Sequence, residues 1–163
     1  MENFSKKLIH YCINRGLSIS IAESCTGGMI VSKLISIPGA SKVIDCGLVT
    51  YSNKAKQIYL NVPKFELEKY GAVSKQVAES MINGLKNKNK SDIFISTTGI
   101  AGPGGGSKKK PVGTVFHSFY FKQKKIISKA ISGPFKSLYS SWHFKNIDKE
   151  QCRVDFMIEY QFK

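Results

Sequence analysis

The chain has 163 residues, a formal net charge of +14 and a 42% hydrophobic share, the composition of one ordinary globular domain with a sizeable core. No apolar run approaches the roughly 20 residues that cross a bilayer, so a membrane span is excluded. Cys12, Cys25, Cys46 and Cys152 stand far apart with no histidine close by, which argues against a zinc site or a disulfide framework.

The charge itself is almost all lysine, with Arg15 and Arg153 the only arginines. Readers of nucleic acid favour arginine for its bidentate fork and interleave aromatics with it. Here the lysines are spread over the chain, so a solvated surface with weak, non-specific attraction to polyanions is expected, and no specific nucleic-acid partner. The start, residues 1–7, lacks an apolar signal core, and a cytoplasmic location without membrane association is the expectation.

Taken in order, Phe4, Leu8, Tyr11 and Cys12 make a helical stripe that Gly16 ends. Polar and apolar residues then alternate from Ser18 to Ala22, the mark of a strand with one buried face. Residues 24–28, Ser-Cys-Thr-Gly-Gly, form a small-residue turn, and Met29, Ile30, Val31, Leu34 and Ile35 continue at helical spacing. A helix that starts from a glycine turn exposes unpaired N–H groups and draws negative charge. The stretch therefore cradles a phosphate, or holds a nucleophile beside its oxyanion hole, or is a plain connection with Ser24 as helix cap.

Residues 43–51 are apolar and rich in β-formers, which predicts a buried strand; Ser52 and Asn53 then cap a short helix carrying Lys54, Ala55 and Lys56. Ser74 caps a second helix with Val77, Ala78, Met81, Ile82 and Leu85 on one face. Residues 93–98 read as a strand that breaks into Gly99-Ile100-Ala101-Gly102-Pro103-Gly104-Gly105-Gly106-Ser107. So much glycine beside Ser107 and Lys108 to Lys110 can fold backbone N–H groups into an anion-binding nest, or be a flexible surface loop. Two further strands, residues 113–121 and 126–131, joined by a lysine-rich hairpin, complete an α/β pattern. It predicts a three-layer α/β/α sandwich with a mixed β-sheet.

Four motifs stand in order: AESCTGG at residues 22–28, VTYSNKAK at 49–56, YGAVS at 70–74 and GIAGPGGGSKKKPVGTV at 99–115. Together they closely resemble the CinA C-terminal domain family, whose stand-alone members are nicotinamide-nucleotide amidases. The resemblance implies hydrolysis of the carboxamide of nicotinamide mononucleotide to nicotinate mononucleotide and ammonia, by a serine/lysine mechanism with no metal and no cofactor. Carried over by position, the nucleophile falls on Ser24, the base on Lys56 and an assisting tyrosine on Tyr51. A lysine serves as base only when neutral, which means lowering its pKa by roughly 3 units, or ~4 kcal/mol, through burial. N–H groups at Thr26, Gly27 and Gly28 are expected to hold the oxyanion. Gly102, Gly104, Gly105 and Ser107 are expected to hold the nucleotide phosphate. The expected partner is thus a small pyridine nucleotide, with a homodimer compatible but unspecified.

After Gly133 the sequence leaves the family pattern, which continues into a charged helix that usually supplies an arginine. Residues 1–133 read as the amidase-like domain and 134–163 as a divergent tail of it. Val154, Phe156, Ile158, Tyr160 and Phe162 alternate with more polar residues, so this segment is expected to be extended, with Trp142 and Phe144 packed near the sheet. The altered tail supports one rival, a non-catalytic nucleotide-binding or self-associating relative. Charge alone supports another, a basic nucleic-acid-associated protein.

Overall fold

The structure, a computed structural model, describes the backbone of residues 4–121, 124–130, 135–146 and 152–162 and the side chains of residues 4–121. Thirteen elements follow along the described chain, beginning with α1 (Phe4–Arg15), β1 (Ile19–Glu23) and α2 (Met29–Ile35). Next come a 3-10 turn (Ala40–Lys42), β2 (Ile44–Val49), α3 (Asn53–Leu60), α4 (Lys64–Tyr70) and α5 (Lys75–Lys88). The remaining elements are strands: β3 (Ile93–Gly99), β4 (Val115–Phe121), β5 (Lys124–Ala130), β6 (Phe135–Asn146) and β7 (Cys152–Phe162).

Five strands form one mixed sheet in the order β2-β1-β3-β4-β5. β1 pairs parallel with β2 and β3, whereas β4 runs antiparallel to β3 and β5. The α/β sandwich expected from the pattern is therefore present. Period-two alternation sorts the side chains into two cores. Ile19, Ile21, Ile93, Ile95 and Phe119 face α1 and α2, while Ala22 and Phe94 face Leu60, Val77, Met81 and Leu85 on the opposite side. All five residues of β1 are buried, as befits a central strand covered on both faces.

The helices start where the serines and the chain direction require. Ser52 Oγ accepts from the Ala55 N–H at 3.0 Å, and Ser74 Oγ from the Val77 N–H at 3.3 Å, caps worth about 1 kcal/mol each. Ser24 does not cap α2: the residue before that helix is Gly28, at φ 99°, a backbone conformation that glycine alone adopts cheaply.

The run at residues 43–51 is not the buried strand its composition suggested. β2 is an edge strand whose residues alternate between half-buried and exposed, with Val49 half exposed, because within the described sheet only β1 borders it. β7 is extended, as the alternation required, and pairs antiparallel with β6 in a separate two-stranded sheet that passes beside α1. The hairpin turn at residues 122–123 and the packing of Trp142 and Phe144 lie outside the described residues.

From β1 the chain crosses through α2 to β2, then through α3, α4 and α5 back past β1 to β3. Neighbouring crossovers thus leave β1 toward opposite edges, and a crevice opens beyond the carboxyl ends of β1 and β3. Open α/β sheets bind ligands at such a switch point.

Candidate active site

Three connections meet at that crevice: the turn at residues 24–28 after β1, the segment at 50–56 after β2, and the glycine loop after β3. They enclose a cleft of about 290 Å³, lined by Ser24, Cys25, Tyr51, Lys56, Ala72, Val73, Thr98, Gly99 and the loop to Gly105. Thr98 Oγ1 donates to the Ala72 carbonyl at 2.8 Å, holding the Tyr-Gly-Ala-Val-Ser segment against β3 as an apolar wall.

Lys56 is 1% exposed, among the most deeply buried side chains described. Its Nζ lies 2.8 Å from Ser24 Oγ, 2.8 Å from the Thr50 carbonyl and 3.1 Å from the Tyr51 carbonyl. No carboxylate among the described residues pairs with it, and burial pushes its pKa down to about 8. Two of its three neighbours are carbonyls, which can only accept. A neutral amine has two N–H bonds and one lone pair. Once the two N–H groups point at Thr50 and Tyr51, the lone pair points at the Ser24 hydroxyl. The backbone thereby aims a base at a nucleophile.

Cys25, next to Ser24, is held in the opposite state. Burial pushes its thiol up to about 12, so it stays protonated at neutral pH and is a poor nucleophile. His117, in register with Thr97 on β4, is buried, kept neutral by a pKa pushed down to about 3, and outside the cleft lining. Among the described residues no group of three or more His, Cys, Asp or Glu side chains comes together as a metal site would require. No described helix is long and apolar enough to cross a membrane.

The structure places Gly27, Gly28 and Ser107 otherwise than the sequence suggests. The Gly27 N–H donates to the Ser24 carbonyl at 3.1 Å, and the Gly28 N–H donates to Glu23 Oε2 at 3.1 Å, so neither donor is open to an oxyanion. The Thr26 hydroxyl is tied to that of Thr97 at 2.9 Å. No oxygen among the described residues accepts from the N–H groups of Cys25 and Thr26. Tyr51 lines the cleft, touches Lys56 through its carbonyl and is 73% exposed as a residue. Ser107 lies outside the cleft: its N–H donates to the Lys110 carbonyl at 2.8 Å and its hydroxyl accepts from the Lys110 N–H at 3.1 Å, closing a turn on itself. Gly102, Gly104 and Gly105 line the cleft.

Two participants escaped the sequence reading. Thr50 supplies a carbonyl to the base, which no side-chain pattern reveals. Glu23 sends its carboxylate into the start of α2, and an acidic residue just before a turn and helix was the available signal.

Residues 1–135 match the CinA C-terminal domain. Relatives include a CinA-like protein of Fusobacterium nucleatum subsp. nucleatum, 53% identical over 129 residues, covering 77% of this chain and 31% of the relative. A putative competence-damage inducible protein of Clostridioides difficile is 47% identical over 131 residues, covering 80% of this chain and 31% of the relative. The chain thus spans about a third of the length of the curated relatives it matches. Among solved structures, the competence/damage inducible protein CihA of Agrobacterium tumefaciens aligns with a TM-score of 0.78 at 40% identity, covering 80% of this chain and 79% of that one. A competence-damaged protein (CinA) superfamily protein of Escherichia coli aligns with a TM-score of 0.77 at 34% identity, covering 82% and 78%.

Proposed function

The chain belongs to the CinA C-terminal domain family, and we propose that its cleft is an amidohydrolase site that converts nicotinamide mononucleotide to nicotinate mononucleotide and ammonia. The observation that carries this reading is the 2.8 Å contact between Lys56 Nζ and Ser24 Oγ, with both remaining Nζ contacts made to carbonyls. A degenerate, merely binding relative has no need to bury an unneutralised lysine against a serine.

The chemistry follows from the geometry. The Lys56 lone pair takes the Ser24 proton as Oγ attacks the carboxamide carbon. The carbonyl electron pair moves onto oxygen, and the resulting anion faces the N–H groups of Cys25 and Thr26, each such donor being worth ~3 kcal/mol. Lys56, now an ammonium, returns the proton to the departing nitrogen and ammonia leaves. Water then attacks the acyl-Ser24 ester with Lys56 again as base, releasing the carboxylate product. A positioned base of this kind contributes about 10²–10⁴ in rate.

The apolar wall of Ala72, Val73 and Ile100 suits a flat pyridine ring, and the backbone of Gly102, Gly104 and Gly105 is left to meet the nucleotide's phosphate. Lys108 and Lys109 stand exposed beside that loop, while Lys110 Nζ is held by the Tyr70 carbonyl at 2.8 Å. The test is ammonia release from nicotinamide mononucleotide by the purified protein. Turnover lost in Ser24→Ala supports the reading; no release by the wild-type protein contradicts it.

A further inference from the structure

Glu23 is fully buried, and its carboxylate accepts three backbone hydrogen bonds: Gly28 N–H at 3.1 Å, Ile30 N–H at 3.1 Å and Val31 N–H at 2.8 Å. A buried carboxylate is costly unless hydrogen-bonded, and a short helix leaves its first N–H groups unpaired. Each need answers the other. Glu23 also reaches the other half of the site. Its carbonyl accepts from the Thr50 N–H at 2.8 Å, and the Thr50 carbonyl in turn accepts from Lys56 Nζ at 2.8 Å. One residue therefore fastens the turn that carries Ser24 through its side chain, and through its backbone the N–H of Thr50, the residue whose carbonyl contacts Lys56.

We propose that Glu23 is a positioning residue for the Ser24–Lys56 pair, holding the nucleophile turn so that Oγ stays in line with the amine. The inference rests on the amidohydrolase reading. It has two structural consequences. With Glu23 filling the start of α2, the anionic end of a substrate is turned away from that helix and toward the glycine loop. With the Gly28 N–H committed, the oxyanion is left to Cys25 and Thr26, at the part of the turn that Glu23 stiffens. Glu23 touches no substrate. Its effect is on the reactivity of Ser24 and not on how well a ligand binds.

The probe is a fluorophosphonate that phosphonylates activated serines, the Ser24 oxygen displacing fluoride from phosphorus, scored for its maximal rate of Ser24 modification and its half-saturating concentration. Glu23→Gln keeps the volume but puts an NH₂ donor against backbone donors. The maximal rate per folded molecule should fall ~10–100-fold, as small displacements of a reacting group do, with half-saturation held within about threefold. A merely structural role would reduce the folded fraction and leave the rate of the remainder intact. In the wild-type protein, amide hydrogen exchange supplies a second test that no folding defect can confound. The Ile30 and Val31 amides should be as protected as those of β1, although the first turn of a short helix ordinarily exchanges fast. Wild-type labelling of Ser24 with an unchanged rate in Glu23→Gln overturns the Glu23 inference alone, as does fast exchange at Ile30 and Val31. A wild-type protein that the probe does not label at Ser24 overturns the amidohydrolase reading, and the role of Glu23 with it.

Discussion

Gly84 of α5 carries no side chain where the Leu60 carbonyl, at the end of α3, takes up the space a Cβ would need. The contact lets α3 lie close on α5, and α3 is the helix that brings Lys56 to the cleft. Gly84→Ala should therefore do more than its helix propensity suggests. Alanine normally gains about 1 kcal/mol over glycine in a helix, but here it must push backbone away. We expect a net loss of about 1–3 kcal/mol, read by urea unfolding, with a fall in turnover from the displaced lysine.

Burial of Lys56 also has a signature in stability. Its pKa falls from 10.5 to about 8 on folding. Between those values the unfolded chain binds the proton and the folded one does not, so stability rises with pH across this window. Below about pH 8 the penalty is complete, on the order of 3 kcal/mol. Lys56→Met removes it. The stability difference between variant and wild type, from urea unfolding, should shrink by about that amount from pH 8 to pH 10.5. A difference that stays constant would mean the amine is not desolvated.

Ser24 and Cys25 are adjacent and chemically distinguishable. Ser24→Ala should cost ~10³-fold or more in turnover, because the attacking atom is gone. Cys25→Ala should retain most activity, since its thiol is held protonated and its contribution is the backbone N–H, which alanine keeps. Steady-state kinetics on folded variants decides between them. Loss of activity in Cys25→Ala alone would reassign the nucleophile.

The rim of the cleft predicts a salt effect. Exposed Lys108 and Lys109 offer point charges to a phosphate, without the fork that an arginine would supply. The KM for nicotinamide mononucleotide should rise several-fold, roughly 2–5-fold, between 20 and 200 mM salt. Replacing both lysines by alanine should flatten that dependence. Salt-independent KM values in both proteins would place the phosphate elsewhere.

Much of this architecture was readable from the chain. Helix starts at Ser52 and Ser74 announced themselves because a side-chain cap is a local interaction, visible within four residues. The dyad was readable only through the order of four motifs, since Ser24 and Lys56 are 32 residues apart and no periodicity connects them. What stayed hidden is backbone. Whether the N–H of Gly28 faces a substrate or Glu23 depends on how the turn is folded, and the Thr50 carbonyl leaves no trace in residue type. β2 was misread because an apolar, β-branched run looks alike at the centre of a sheet and at its edge. Sheet order, a long-range property, decides which. The turn at residues 107–110 draws Ser107 away from the cleft by a pairing as local as a cap, which the run of glycines before it obscures.

The most direct test of the central claim, that the backbone aims a neutral Lys56 at Ser24, is the pH dependence of turnover in the wild type and in Lys56→Arg. The base works only when unprotonated. Wild-type activity should therefore rise about tenfold per pH unit at low pH and level off with a midpoint near 8, where burial has brought the amine. Lys56→Arg, which keeps the charge and accepts no proton, should be nearly as inactive as Lys56→Ala at every pH. A flat wild-type profile from pH 6 to 9, or wild-type-like turnover in Lys56→Arg, would contradict the account.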